Sequence, residues 1–176
     1  MKRVQQEAVS RFLAEGFDVV TVEQIAEAAD VSAMSVYRWF GTKEGLVTWD
    51  EFDPPILEAI GRRLPGQSPL EAVCDAFVEL LDDVYDRERD MALARAQLIY
   101  REPAILAAAD QNLRHLRSAL TDMFAGESDL EPLRAEATAA IATALLEVAI
   151  DSWQRVDGTR PLRELIAELF DGHRHG

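Results

Sequence analysis

The stretch Thr21-Val22-Glu23-Gln24-Ile25-Ala26-Glu27-Ala28-Ala29-Asp30-Val31-Ser32-Ala33-Met34-Ser35-Val36-Tyr37-Arg38-Trp39-Phe40 decides how this chain is read. Thr21 and Gln24 have the spacing of a capping box, in which the threonine oxygen accepts a backbone N–H and the glutamine side chain reaches back. Val22, Ile25, Ala26 and Ala29 then fall at i, i+3, i+4 and i+7, giving one narrow apolar face over two turns. A helix this short needs tertiary partners. Asp30-Val31-Ser32 leaves room only for a tight turn, and Ser32 is placed to cap a third helix running through Phe40. Two short helices joined so closely predict a helix-turn-helix.

Upstream, Val4, Ala8 and Phe12 with Val9 and Leu13 predict a first helix that stops near Gly16. Downstream, Gly41-Thr42 ends the third helix and caps a fourth, which Asp53-Pro54-Pro55 is expected to break or kink before Ile56 to Leu64 continue. Pro65 to Pro69 reads as a loop. Leu70, Val73, Cys74, Phe77, Leu81, Val84 and Tyr85 then form an apolar stripe, followed by a helix near 88–100. Further helices are expected over about 103–124, 130–155 and 161–171. Strand-like alternation is nowhere sustained. The predicted fold is all-α: a three-helix helix-turn-helix domain over 1–45, followed by a larger helical ligand-binding and dimerisation domain over 46–176.

Length and composition agree with a folded chain. The 176 residues suffice for a buried core, and 48 % hydrophobic with 28 % charged residues fits a water-soluble globular protein. The single cysteine, Cys74, excludes an intrachain disulfide and suits a reducing cytoplasm, and the N-terminus carries no signal-peptide pattern. No run approaches the roughly 18 apolar residues of a membrane span. The net charge of −14 argues against a polyanionic partner for the chain taken whole. Its distribution reopens the question: residues 1–49 hold five basic against seven acidic side chains, the rest thirteen against twenty-five. The N-terminal part is nearly balanced and can present a basic face locally.

A helix docked in the major groove needs small or polar side chains along its first turns, and Ser32, Ala33, Met34, Ser35 and Arg38 meet that need. Met34 suits a thymine methyl and Ser35 a base or phosphate. Thr21 at a helix N-terminus, Tyr37 through its hydroxyl, and Lys43 suit the phosphate backbone. Trp39 reads as a packing residue. No catalytic constellation and no cofactor motif can be named, and His173 and His175 are too sparse for a metal site.

Thr21-Val22-x-x-Ile25-Ala26-x-x-Ala29-x-Val31-Ser32 followed by Tyr37-x-x-Phe40-x-x-Lys43-Glu44-x-Leu46 resembles the TetR family of transcriptional regulators. Within it, Val31-Ser32-x-x-Ser35-x-x-Arg38-x-Phe40 and Arg95-x-x-Leu98-Ile99 ahead of Pro103-Ala104-Ile105-Leu106 look most like the mycofactocin-type branch, which implies an acyl-CoA-like ligand. Asp30 stands where that family usually has glycine; aspartate tolerates the left-handed conformation such a turn requires.

The C-terminal part is then expected to hold ligand and dimer contacts. Trp49, Phe52, Phe77, Leu81, Tyr85, Leu98, Leu116, Leu120, Phe124 and Trp153 are the apolar ligand candidates, and Arg95, one turn from both Met91 and Ile99, is placed to meet an acidic ligand group. Residues 137–150 are apolar nearly all round, so one side should face the core and the other a twin chain. Ala139, Ala142, Thr143, Leu146 and Ile150, with Leu165, Ile166, Leu169 and Phe170, are the expected four-helix dimer contact. The expected function is a cytoplasmic homodimeric repressor on a palindromic DNA operator, released by an apolar or amphipathic small molecule. The alternative is a helical small-molecule-binding protein that keeps this fold without binding DNA. The fourth helix is the expected transmitter between the two parts.

Overall fold

The computed structural model describes residues 1–49, 53–128 and 130–173, with the side chains at 53, 54 and 82–87 outside that description. Among the described residues the chain forms nine helices and no strand: α1 (Lys2–Glu15), α2 (Val22–Ala28), α3 (Ala33–Phe40), α4 (Gly45–Thr48), α5 (Asp53–Arg63), α6 (Pro69–Arg101), α7 (Pro103–Glu127), α8 (Pro132–Arg155) and α9 (Leu162–Asp171). The backbone falls into two compact units. One combines Met1–Asp50 with Asp90–Gln111, and the other Glu51–Arg89 with Asn112–Gly176.

Two features depart from the sequence expectations. The apolar stripe from Leu70 and the helix expected near 88–100 are one 33-residue helix, α6. No glycine or proline interrupts residues 70–101, so nothing local stops the helix once it has started. The expected break between the fourth helix and the segment from Ile56 is present, since α4 ends at Thr48, but Asp53-Pro54-Pro55 opens the next helix, α5, rather than lying in a kink. Proline is tolerated in a first turn, where its missing N–H would have had no intrahelical partner.

The first unit has a continuous apolar core. Val4, Ala8, Val9 and Phe12 of α1 meet Val22, Ile25 and Ala26 of α2, Val36 and Phe40 of α3, and Leu46 and Val47 of α4. Phe12 and Phe17 meet edge to face at 5.0 Å between ring centroids. The same core contains Leu98 of α6 and Ile105 of α7, both fully buried, with Met91 and Ile99 packed alongside. Enclosing two such side chains contributes about 1.5–3 kcal/mol each.

Polar contacts close the end of α4. The Trp49 carbonyl, at the C-cap, accepts from Gln5 Nε2 at 2.7 Å and from Arg95 Nη1 at 3.1 Å. Gln5 Nε2 also reaches the Val47 carbonyl at 3.4 Å. Carbonyls at a helix C-terminus lack intrahelical donors, so these side chains satisfy groups that α4 cannot. Arg3 donates to the Ala29 carbonyl at the end of α2.

In the second unit α5 buries Ile56 and Ile60, α6 Val73, Cys74 and Leu81, and α7 Leu120 and Phe124. α8 and α9 pack against each other with Trp153, Leu162, Ile166 and Phe170 enclosed. Ser68 and Glu71 form a capping box at the start of α6: Ser68 N and Oγ donate to Glu71 Oε2 at 3.0 and 2.6 Å.

Gly45 is fixed by space. A Cβ at this position would lie well inside contact distance of the Phe40 carbonyl oxygen and 3.0 Å from its carbon. Backbone cannot rotate away as a side-chain tip can. Gly45→Ala is expected to cost about 1–3 kcal/mol, the range of an overpacking strain, measured as a lower urea midpoint at unchanged m-value.

Candidate functional site

The turn between α2 and α3 is built by its own caps. Thr21 Oγ1 accepts from Gln24 N at 3.2 Å, while Thr21 N donates to Gln24 Oε1 at 2.8 Å, completing the capping box. Val31 N donates to the Ala26 carbonyl at 2.9 Å across the turn. Asp30 takes the left-handed conformation there, φ 56°. Ser32 Oγ then accepts from Ser35 N at 3.1 Å and lies 2.9 Å from Ser35 Oγ, so α3 starts on a paired hydroxyl cap. Gly41, φ 72°, ends it.

These caps set the rotation of α3. Val36 and Phe40 point into the core, and Trp39 packs partly buried against it, as its reading as a packing residue anticipated. Met34, Tyr37 and Arg38 occupy the opposite side at i, i+3 and i+4. Met34 is 79 % exposed and Tyr37 46 %, unusual for an apolar and an aromatic side chain on a helix with a core to fill. Ser32 is exposed; Ala33 and Ser35 are half-buried. Ser35, expected to contact a base or phosphate, spends one hydroxyl contact on the cap.

Lys43 follows in the loop after α3. Its Nζ stands 4.5 Å from the centroid of the Phe17 ring and 5.6 Å from that of Phe12. Cation–π attraction fixes a side chain that would otherwise roam its rotamers. Sequence reading singled out Lys43 and missed Phe17 as its support. Gly16-Phe17 just after α1 was the available signal. Thr42 Oγ1 accepts from Gly45 N at 3.0 Å and holds the same loop.

The ligand candidates divide between the units. Trp49, Arg95 and Leu98 belong to the first: the Trp49 ring meets Phe40 edge to face at 5.8 Å, Arg95 donates to the Trp49 carbonyl, and Leu98 is core. Phe77, Leu81, Leu116, Leu120, Phe124 and Trp153 belong to the second, with Phe77 and Leu116 half-buried and the other four enclosed. Phe52 lies outside the described residues, as does the side chain of Tyr85.

The residues expected to face a twin chain differ in exposure. Ala139, Ala142, Thr143, Leu146, Ile166 and Phe170 are buried within this chain's own second unit, while Ile150, Leu165 and Leu169 are half-buried. Thr143 Oγ1 donates to the Ala139 carbonyl at 2.9 Å and accepts from Arg117 Nε at 3.2 Å. Beyond its first turn, where Leu133 is exposed, the apolar residues that α8 leaves exposed are Ala137, Ile141, Ala144 and Val148, at i, i+4, i+7 and i+11. A helix apolar all round carries no phase information, so the sequence could not say which of its faces turns inward.

Two family models match the chain. Residues 6–48 match the tetR family of bacterial regulatory proteins, and residues 67–176 match the MftR C-terminal domain of that family. The chain belongs to the TetR family. A curated relative, the HTH-type transcriptional regulator TcmR of Streptomyces glaucescens, is 37 % identical over 109 residues, which cover 58 % of this chain and 48 % of TcmR. The chain thus matches about half of that relative's length. Solved structures with the same fold include FadR of Bacillus halodurans, a fatty acid degradation regulator, with TM-score 0.60 at 16 % identity over 99 % of this chain and 96 % of that one. FadR of Thermus thermophilus, a TetR-family repressor in complex with lauroyl-CoA, gives 0.58 at 22 % over 97 % and 91 %. NalD of Pseudomonas aeruginosa, the secondary repressor of a multidrug efflux pump, gives 0.53 at 20 % over 97 % and 95 %.

The Lys43 support is testable without a ligand. Phe17→Leu keeps an apolar side chain but removes the ring, and should cost about 0.5–1 kcal/mol more in the native protein than in a Lys43→Met background. A double-mutant cycle by urea unfolding measures the difference; additive effects would show that Nζ gains nothing from the ring.

Proposed function

We propose that this chain is a ligand-responsive transcriptional regulator, working as a homodimer on a palindromic operator, with repression as its mode. The observation that carries the reading is the outward face of α3. Met34, Tyr37 and Arg38 stand exposed on a helix whose start and rotation are fixed by the Ser32–Ser35 cap and the Asp30 turn. In this reading α3 enters the major groove. Met34 touches a thymine methyl, and Ser32, Ala33, Ser35 and Arg38 line the approach to the base edges. Thr21, Tyr37 and Lys43 hold the phosphates, and the ring beneath Lys43 presents its charge at a set place.

Dimerisation is assigned to the face that α8 leaves open. Ile141 and Val148 are 42 % and 48 % exposed, and Ala137 and Ala144 between them allow a close helix approach. The half-buried Leu165 and Leu169 of α9 are assigned to the same contact. A two-fold dimer presents two recognition helices to successive major grooves about 34 Å apart, which is why the operator is expected to be palindromic.

The effector is an apolar or amphipathic molecule of the acyl-CoA kind, taken up by the second unit. α6 is the proposed transmitter in place of the proline-opened α5. Its residues Pro69–Arg89 belong to the second unit, and Asp90–Arg101 supply Arg95 and Leu98 to the body that carries α3. A ligand that displaces α6 therefore acts on the Trp49 carbonyl and the Leu98 pocket directly. A hundredfold loss of operator affinity requires about 2.7 kcal/mol of coupling, comparable to one charged hydrogen bond and part of one buried leucine.

Fluorescence anisotropy with the intergenic DNA beside the native gene, at two salt concentrations and with or without an acyl-CoA mixture, tests this reading. Palindrome binding that weakens with salt and is reversed by the mixture is expected. No salt-dependent binding to any duplex would favour a DNA-silent small-molecule-binding protein, the reading that the net charge of −14 supports. Lys43→Ala and Tyr37→Phe should each weaken binding by similar factors on cognate and scrambled DNA, with the dimer intact by light scattering. Arg95→Gln should keep operator binding and lose about tenfold of the effector's influence on it. Unchanged release by the effector would remove α6 from the mechanism.

A further inference from the structure

The first turn of α1 closes the C-termini of two other helices. Gln5 supplies the donor at the end of α4, and Arg3, two residues earlier, donates from Nη2 to the carbonyl of Ala29, 26 residues away in the chain. Val4 between them is buried in the core and anchors the turn that carries both side chains.

Ala29 is where α2 ends and the turn to α3 begins. The turn is a Schellman motif: Val31 N donates to the Ala26 carbonyl at 2.9 Å and Asp30 N to the Glu27 carbonyl at 3.1 Å, around Asp30 at φ 56°. These bonds satisfy the carbonyls of Ala26 and Glu27. They leave that of the buried C-cap residue, Ala29, to which no backbone N–H among the described residues donates. Arg3 supplies that donor and places a cation at the negative end of α2. The turn carries aspartate rather than glycine in the left-handed conformation, and a non-glycine residue keeps that conformation only where its surroundings hold it.

Arg3 is an exposed basic side chain at the start of a helix, the kind of group otherwise assigned to the phosphate backbone. Its guanidinium is instead turned onto the protein, at the joint from which α3 starts. We propose that Arg3 is a positioning residue for DNA recognition: it braces the α2–α3 turn from α1, and so sets where α3 meets the bases, without contacting phosphate itself. The proposal rests on the DNA-binding reading of α3. It separates Arg3 from Lys43 and Tyr37, which hold phosphates directly in that reading. Losing a phosphate contact weakens every duplex alike, whereas a displaced α3 loses its fit to the base edges, so the loss falls on the cognate sequence.

Anisotropy titrations of Arg3→Met and Arg3→Lys, on the intergenic duplex and on a scrambled version of it over a series of salt concentrations, test the proposal. Thermal unfolding run alongside establishes that each variant is folded. Arg3→Met keeps the length of the side chain and removes its donors and charge. It should bind the cognate duplex about tenfold more weakly, the loss of one charged hydrogen bond, and scrambled DNA within about twofold of wild type, with the salt dependence unchanged. Arg3→Lys, which retains a donor of similar reach, should recover most of the cognate affinity. A phosphate contact would instead lower both affinities together and make the slope of log K against log salt shallower by about 0.9, and that result would overturn the assignment. Native-state hydrogen exchange reads the brace without DNA. The Val31 amide should exchange about tenfold faster in Arg3→Met while those of Val9 and Phe12 in α1 are unchanged. Val31 exchange unmoved in the folded variant would also overturn the assignment. A wild-type chain that binds no duplex would remove the reading of α3 and with it the consequence for DNA, while Val31 exchange would still decide the brace.

Discussion

The Trp49 carbonyl is where the N-terminal unit is tied together. It ends α4, lacks an intrahelical donor, and takes one from each of two distant parts of the chain, Gln5 of α1 and Arg95 of α6. The apolar counterpart of that knot is Leu98, one turn from Arg95 and fully enclosed among residues of the first unit. Together they make the segment Asp90–Gln111 a structural member of the body that carries α3. Removing either partner would leave a helix end undersatisfied or a cavity in a small core, and both are costly.

That arrangement gives a physical content to regulation. A helix-turn-helix of four short helices is marginal by itself, since none of its elements is long enough to be stable alone. Completing its core with residues from α6 and α7 stabilises it and at the same time makes it responsive to those helices. In the proposed function the same contacts serve both ends, which is why α6, shared by both units, is a more economical transmitter than the proline-opened α5.

The parts of the fold that were legible in the sequence are those fixed by local chemistry. The Thr21–Gln24 capping box, the Ser32 cap, the tolerant Asp30 in the turn and the Gly41 stop each act within four residues, and each occurs where the side chains placed it. Ser68-x-x-Glu71 was equally local, and the proline-rich loop reading of that stretch passed over it. What the sequence could not reveal depends on distant contacts. Leu98 and Ile105 carry the same apolar signal whichever core they enter. Residues 137–150 are apolar on both sides, so only tertiary packing decides that Ala139 and Ala142 turn inward and Ile141 and Val148 outward. The ring beneath Lys43 likewise requires the end of α1 and the loop after α3 to be brought together.

The membership of Asp90–Gln111 in the body that carries α3 is the claim on which the rest stands, and native-state hydrogen exchange measures it directly. In the wild-type chain the amides of Val9 and Phe12 in α1 and of Leu98 and Ile99 in α6 should open with one common free energy. Leu98→Ala should lower that value for all four together by about 2–5 kcal/mol or to the limit of the unit's stability. Loss of protection confined to α6, with α1 exchanging as in the wild type, would contradict the account.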